Sequence, residues 1–277
     1  MLVNLNEVLP KAKKEGYAVG LFNTVNLEMA KGVLAAAAEL NAPVIIGTAE
    51  VLLPFASLGE LAPMLIPLAR DCPAPVVLHF DHGLTLPKIR EAMDLGFTSV
   101  MYDCSALPYE ENCEAVRKLT EEAHSRGVTV EAELGHVGSA GPDAGDGSVY
   151  TDPKEALDYS TRTGVDALAV AIGTAHGAYT AAPKLDIPRL REIAGLVEAP
   201  LVLHGGSGLS DEDFQSCIQS GVAKVNIFTD INCAAAQAAH DGWAPGEGMT
   251  GLMGGIVESV KAATIRKMRV FGCQGKG

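Results

Sequence analysis

Three histidines stand where apolar, strand-like runs give out: His82 in PVVLHFDH, His176 in ALAVAIGTAH and His204 in PLVLHGG. Imidazole is the commonest protein metal ligand, and three ligands with one position left open is the pattern of a catalytic zinc site. Asp81 precedes the first of them, and a carboxylate beside a metal-bound carbonyl group is placed for proton transfer. The same carboxylate has a plainer reading, in which it only orients a ligand histidine. Side chains alternate along a strand, so Asp81 and His82 reach one face only where the strand is ending. His79 points with Asp81 and reads as a buried group behind the site. His124 in a helix, and His136 and His240 in loops, lack such company.

The segment HGGSG adds a second kind of chemistry. Gly205, Gly206 and Gly208 let backbone N–H groups close on an anion, Ser207 adds a hydroxyl, and Gly177 after His176 offers another donor. A GGSG sequence alone is usually just a turn. Its place after the seventh strand, where barrel enzymes commonly hold phosphate, favours an anion site.

These groups need elements to carry them. Apolar runs of strand length recur at 18–23, 43–48, 75–82, 99–104, 128–135, 167–173, 200–208 and 224–230. Between them, 27–40, 86–95, 110–126, 153–163, 187–197 and 210–220 have helical spacing and good helix formers. Glycine follows Leu95, Arg126, Thr163 and Ser220, ready to end a helix in the left-handed conformation before the next strand. Near-continuous apolar strands alternating with helices indicate a parallel sheet covered by helices. Eight such units without a linker predict an α/β fold, a single-domain TIM (β/α)8 barrel over residues 1–277.

Strand C-termini converge on one face of such a barrel, which gathers Asn23, Thr48, Asp81, His82, Asp103, Glu131, Glu133, His176, His204, Ser207, Asn226 and Asp230. The Gly- and Asp-rich stretch 136–148 follows the fifth strand and reads as a lid over that mouth. The stretch 240–255 is either a second cover or a plain exposed connection.

Composition narrows the partners. A net charge of −13 with no basic stripe argues against nucleic acid. The apolar stretch 30–55 is interrupted by Lys31, Glu39, Asn41, Pro43 and Glu50, so it reads as a buried helix and strand rather than a membrane span. Cys72, Cys104, Cys113, Cys217, Cys233 and Cys273 form no CxxC pair and read as reduced structural thiols. Cys104 lies at a strand end, a position from which a side chain can face the site, with nothing else to support a nucleophilic role. No signal peptide precedes the first strand, and a cytoplasmic protein is expected.

Taken in order, HFDHG, VEAELG, AVAIGTAHG, VLHGGSG and KVNIFTD resemble the class II, zinc-dependent ketose-bisphosphate aldolases over nearly the whole chain, nearest the tagatose-bisphosphate and inositol-catabolic phosphoketonic-acid branch. The resemblance implies that His82, His176 and His204 hold Zn2+ and that Asp81 is the acid/base for the cleaved alcohol. It implies that Gly177, Gly205, Gly206, Ser207, Asn226, Ile227, Phe228 and Thr229 hold the dihydroxyacetone phosphate half, with Asn23 lining the site. Asp103 and Glu133 match positions for a monovalent or second divalent cation, and Glu133 alternatively orients a zinc histidine. A homodimer or homotetramer follows from the resemblance, with Arg266 or Arg269 reaching a distal phosphate or serving as ordinary helix-end charge.

Two departures from the family pattern concern the aldehyde half. Relatives carry a lid glutamate where this chain has only Asp143 and Asp146, and Phe228 occupies a slot held by Asp or Ala. The expected activity is reversible retro-aldol cleavage of a phosphorylated ketose, of the fructose or tagatose bisphosphate kind. The alternatives are a phosphosugar-binding barrel with degenerate catalysis and a barrel metallohydrolase. The hydrolase is disfavoured because the first strand ends in Phe-Asn rather than in an HxH motif.

Overall fold

Apolar strands with no polar face must be covered on both sides, and closure into a barrel does this without leaving an edge. A computed structural model describes residues 1–139, 150–177, 183–246 and 248–277. Eight parallel strands close the barrel: β1 Val19–Asn23, β2 Val44–Ala49, β3 Val76–Gly83, β4 Ser99–Tyr102, β5 Thr129–Leu134, β6 Ala167–Val170, β7 Leu201–Leu203 and β8 Val222–Ile227. Each pairs with its neighbours in sequence, and β8 returns to β1 with Asn226 opposite Leu21. The short strand Leu2–Val3 lies against the start of β3.

Helices follow the strands as the spacing predicts, among them Leu27–Leu40, Leu86–Leu95 and Pro153–Thr163. The glycines after Leu95, Arg126, Thr163 and Ser220 all adopt positive φ. The helix Leu58–Asp71 is an addition, obscured in the sequence by Pro63 and Pro67 inside it. Ser57 and Glu60 form a reciprocal capping box at its start, which satisfies N–H groups a helix leaves open. In the stretch 240–255, one helix runs on to Gly242 and the final helix begins at Met249, so the irregular part is shorter than expected.

Outward-facing strand residues pack under the helices. Phe80 sits edge-on against Phe97 with ring centroids 6.3 Å apart. The inward positions near the C-terminal rim are polar. His79, Asp81, Glu131, Glu133 and Lys224 are all at most 2% exposed. Burial on this scale requires every charge to be paired, and the pairs are what set the site.

Candidate active site

β3 solves the problem of aiming Asp81 and His82 together. Its residues alternate normally up to Asp81, but His82 has φ +41, and the pairing with β4 slips between Phe80 and Gly83. A left-handed non-glycine residue is strained by about 1–3 kcal/mol and persists only where surroundings hold it. Here Asp103 Oδ2 accepts a hydrogen bond from His82 Nδ1 at 2.8 Å, and Asp103 Oδ1 is itself anchored by the Ser105 hydroxyl at 2.7 Å. With Nδ1 committed as donor, Nε2 is the lone-pair nitrogen, and it is buried without a hydrogen-bond partner.

His204 directly follows β7 and is fully buried. Its Nδ1 is 2.9 Å from Glu133 Oε2 and its Nε2 is 2.9 Å from Glu131 Oε1. The two glutamates are two residues apart on β5 and so share a face. Burial alone would lower the His204 pKa, but the hydrogen bonds its ring donates to these carboxylates, with their negative charge, outweigh it and raise it to about 10.

His176 is not at a strand end. β6 stops at Val170, and His176 lies in a separate two-residue strand, Ala175–His176, paired with Gly138–Ser139. The loops after β5 and β6 therefore clasp each other to deliver this ring. Burial, then the neighbouring His82 and His204, push its pKa down to about 4, which keeps the imidazole neutral.

The three rings lie with centroids 4.6 to 5.8 Å apart. Ligand atoms of His82, His176, His204 and Glu133 all fall within 4.8 Å of one another. Three imidazoles and a carboxylate suit a zinc-type divalent ion, and the orphaned Nε2 of His82 is the buried polar atom such an ion would satisfy.

Asp81 is 2% exposed and held from both sides. Asn23 Nδ2 donates to Oδ2 at 2.7 Å, and Asn226 Nδ2 donates to Oδ1 at 3.0 Å. Burial would raise its pKa, but the charges of His82, Lys224 and His204 win and lower it to about 2. The carboxylate is thus ionised, able to accept a proton at neutral pH.

A cavity of about 480 Å³ opens above these groups. It is lined by Asn23, Asp81, His82, Asp103, Glu133, His176, Gly177, Gly205, Gly206, Ser207, Asn226, Ile227, Phe228 and Thr229, while His204 lies buried below it. Ser207 Oγ accepts from the Phe228 backbone N–H at 3.3 Å, which ties the loops after β7 and β8 together. The helix Thr229–Gly242 starts there without a side-chain cap, so its first-turn N–H groups are open to an anion.

Several residues differ from their expected place. His136 lines the cavity too, with Nδ1 3.0 Å from Ser105 Oγ. Burial drives the Cys104 thiol up to about 11, so it offers no thiolate. Arg266 and Arg269 are not among the cavity-lining residues. Asp143 and Asp146 lie outside the described residues. Lys224 carries no role in the sequence reading, although the period of β8 places it on the inward face with Asn226.

Comparison with known proteins gives concordant matches. The family model described as "Fructose-bisphosphate aldolase class-II" matches residues 3–276. A fructose-bisphosphate aldolase of Staphylococcus epidermidis is 41% identical over 99% of both chains. One from Staphylococcus aureus is 45% identical over 87% of this chain and 85% of its own. The crystal structure of the YdjI aldolase from Escherichia coli K12 superposes with a TM-score of 0.91 and 36% identity, covering 100% of this chain and 99% of that one.

Proposed function

This chain belongs to the class II fructose-bisphosphate aldolase family, and from that premise we propose how its residues divide the work. It is an aldolase, a lyase that cleaves a ketose bisphosphate reversibly into dihydroxyacetone phosphate and an aldehyde. The family is metal-dependent, and the cluster of His82, His176, His204 and Glu133 suits a divalent cation.

The proposed ion is Zn2+, held by His82 Nε2, His176 and His204 Nδ1. The supporting observation is the buried, unpartnered Nε2 of His82 directed by its bond to Asp103. Asp103 and Glu133 are the candidate ligands of a second divalent or monovalent cation. When bound, Zn2+ supplies Lewis acidity to the ketone oxygen, where negative charge develops as the carbon–carbon bond breaks.

Asp81 takes the proton from the hydroxyl whose carbon becomes the aldehyde, and returns it in the condensation direction. Asn23 and Asn226 hold its two oxygens in place for that transfer. Gly205, Gly206, Ser207 and the start of the helix after Phe228 hold the phosphate through N–H groups and a hydroxyl, with Gly177, Asn226, Ile227 and Thr229 beside them. Removal of metal by chelator is expected to abolish triose phosphate formation, and Zn2+ to restore it. Unchanged turnover in metal-free enzyme, verified by elemental analysis, would sink this reading.

A homodimer or homotetramer is part of the proposal, supported by the exposed apolar side chains of Val51, Phe55 and Trp243, surface that a second copy would cover. Light scattering of the purified protein tests it. No described helix is long and apolar enough to cross a membrane. The six cysteines are unpaired, which supports a reducing, cytoplasmic compartment.

A further inference from the structure

Beneath the cavity lies an ion pair that the chemistry above does not use. Lys224 and Glu131 are both fully buried, with Nζ 3.0 Å from Oε1 and 2.8 Å from Oε2. A buried ion pair is weak support for stability, because desolvating two charges cancels much of their attraction. What makes this pair informative is what each partner touches next.

Glu131 Oε1 faces His204 Nε2 at 2.9 Å. A carboxylate can only accept, so Nε2 carries a proton toward Glu131 just as Nδ1 does toward Glu133, 2.9 Å away. Glu133 belongs to the candidate metal cluster and Glu131 does not, so Nδ1 is the nitrogen placed to give up its proton to a metal while Glu131 keeps Nε2 protonated. On the other side, Lys224 Nζ donates to Asn226 Oδ1 at 2.6 Å. An ammonium can only donate, so the Asn226 carbonyl must turn toward it and the amide nitrogen toward Asp81 Oδ1, where it lies at 3.0 Å. The amide has one orientation that satisfies both neighbours.

We infer that Lys224, through Glu131 and Asn226, is a positioning residue that sets the His204 tautomer and the Asp81 carboxylate orientation together. One buried ammonium thereby registers the metal-binding ring and the proton-transferring carboxylate against each other. His79 closes the space between the two arms, with Nε2 3.8 Å from Asp81 Oδ1 and Nδ1 2.7 Å from Ser99 Oγ. The inference rests on the metal-dependent aldolase reading and names which side chains tune it.

The test uses full-length Lys224→Met, loaded with Co2+ as a spectroscopic substitute for Zn2+. Co2+ affinity, measured by chelator competition, is expected to fall about 10–100-fold, with a changed visible absorption spectrum. In the Co2+-saturated enzyme kcat is expected to fall at least tenfold, with KM for the phosphorylated ketose within threefold of wild type. Asn226→Ala separates the arms, lowering kcat while Co2+ affinity stays at the wild-type value. Should Lys224→Met not fold, the Lys224→Met/Glu131→Gln double variant leaves no unpaired charge and is judged by the same criteria. A folded variant with wild-type Co2+ affinity, or with wild-type kcat, overturns the inference. Wild-type protein that binds no Co2+ or forms no triose phosphate would instead remove the aldolase assignment itself.

Discussion

Gly205→Ala probes the contact on which the placement of His176, the proposed ligand hardest to foresee, depends. Gly205 has φ +65, and a Cβ built there would stand 2.4 Å from the carbonyl oxygen of Ala175 and 2.7 Å from its carbon. An ordinary contact begins at about 3.4 Å, so the Ala175–His176 strand must retreat by about 1 Å, and no flexible side chain absorbs the shift. A misplacement near 1 Å at a reacting centre costs about 100-fold in rate, or about 2.7 kcal/mol of barrier. Left-handed backbone strain adds about 1–2 kcal/mol of lost stability. Gly16→Ala is the control, with φ +72 but nothing within 4 Å of the added carbon. It carries the strain without the clash, and should lower Tm by about 2 °C per kcal/mol while keeping full kcat. The assay is kcat by coupled triose phosphate detection, alongside Tm for both variants. If Gly205→Ala retained kcat within threefold of wild type, the claim that this glycine sets the His176 strand would be wrong.

Further outcomes follow from the same geometry. Asp81→Ala should retain its metal by elemental analysis yet lose about 100–10,000-fold in kcat, and near-normal turnover would remove the acid/base assignment. Metal loading should release at least one proton near neutral pH, because the His204 pKa of about 10 leaves the empty site protonated there. Apparent affinity should therefore rise by up to about tenfold per pH unit toward pH 9, and calorimetry in buffers of different ionisation enthalpy would count the protons. Phe228 is half-buried on the cavity wall, so Phe228→Ala should reorder kcat/KM across a panel of ketose mono- and bisphosphates. An unchanged ranking would show that the ring does not select the aldehyde half.

Much of this architecture was legible because its signals are local. Apolar runs bounded by turn residues mark strands whether or not their partners are known, and β1 and β2 fall within a residue of the expected starts. The helix Leu58–Asp71 escaped because two prolines contradict local propensity while packing of Leu58, Leu61 and Leu65 overrides it. His82 and Asp81 were recognisable as a pair, but the left-handed turn that aims both into one cavity is enforced by Asp103 and by the slipped register with β4. Lys224 was visible only as a letter in an apolar strand, since its meaning lies in a glutamate 93 residues away.

The amino-acid sequence by itself determined the order of eight strand–helix units, the rim residues each strand delivers and the family resemblance. These follow from periodicity and side-chain chemistry, which act over a few residues. Tertiary structure alone decided which nitrogens of His82 and His204 face a metal, how His176 arrives on a short strand clasped between two loops rather than at the end of a barrel strand, and which way the Asn226 amide faces. Those choices depend on hydrogen bonds across the barrel between groups far apart in the chain, where burial excludes water and leaves only protein partners for each donor and acceptor.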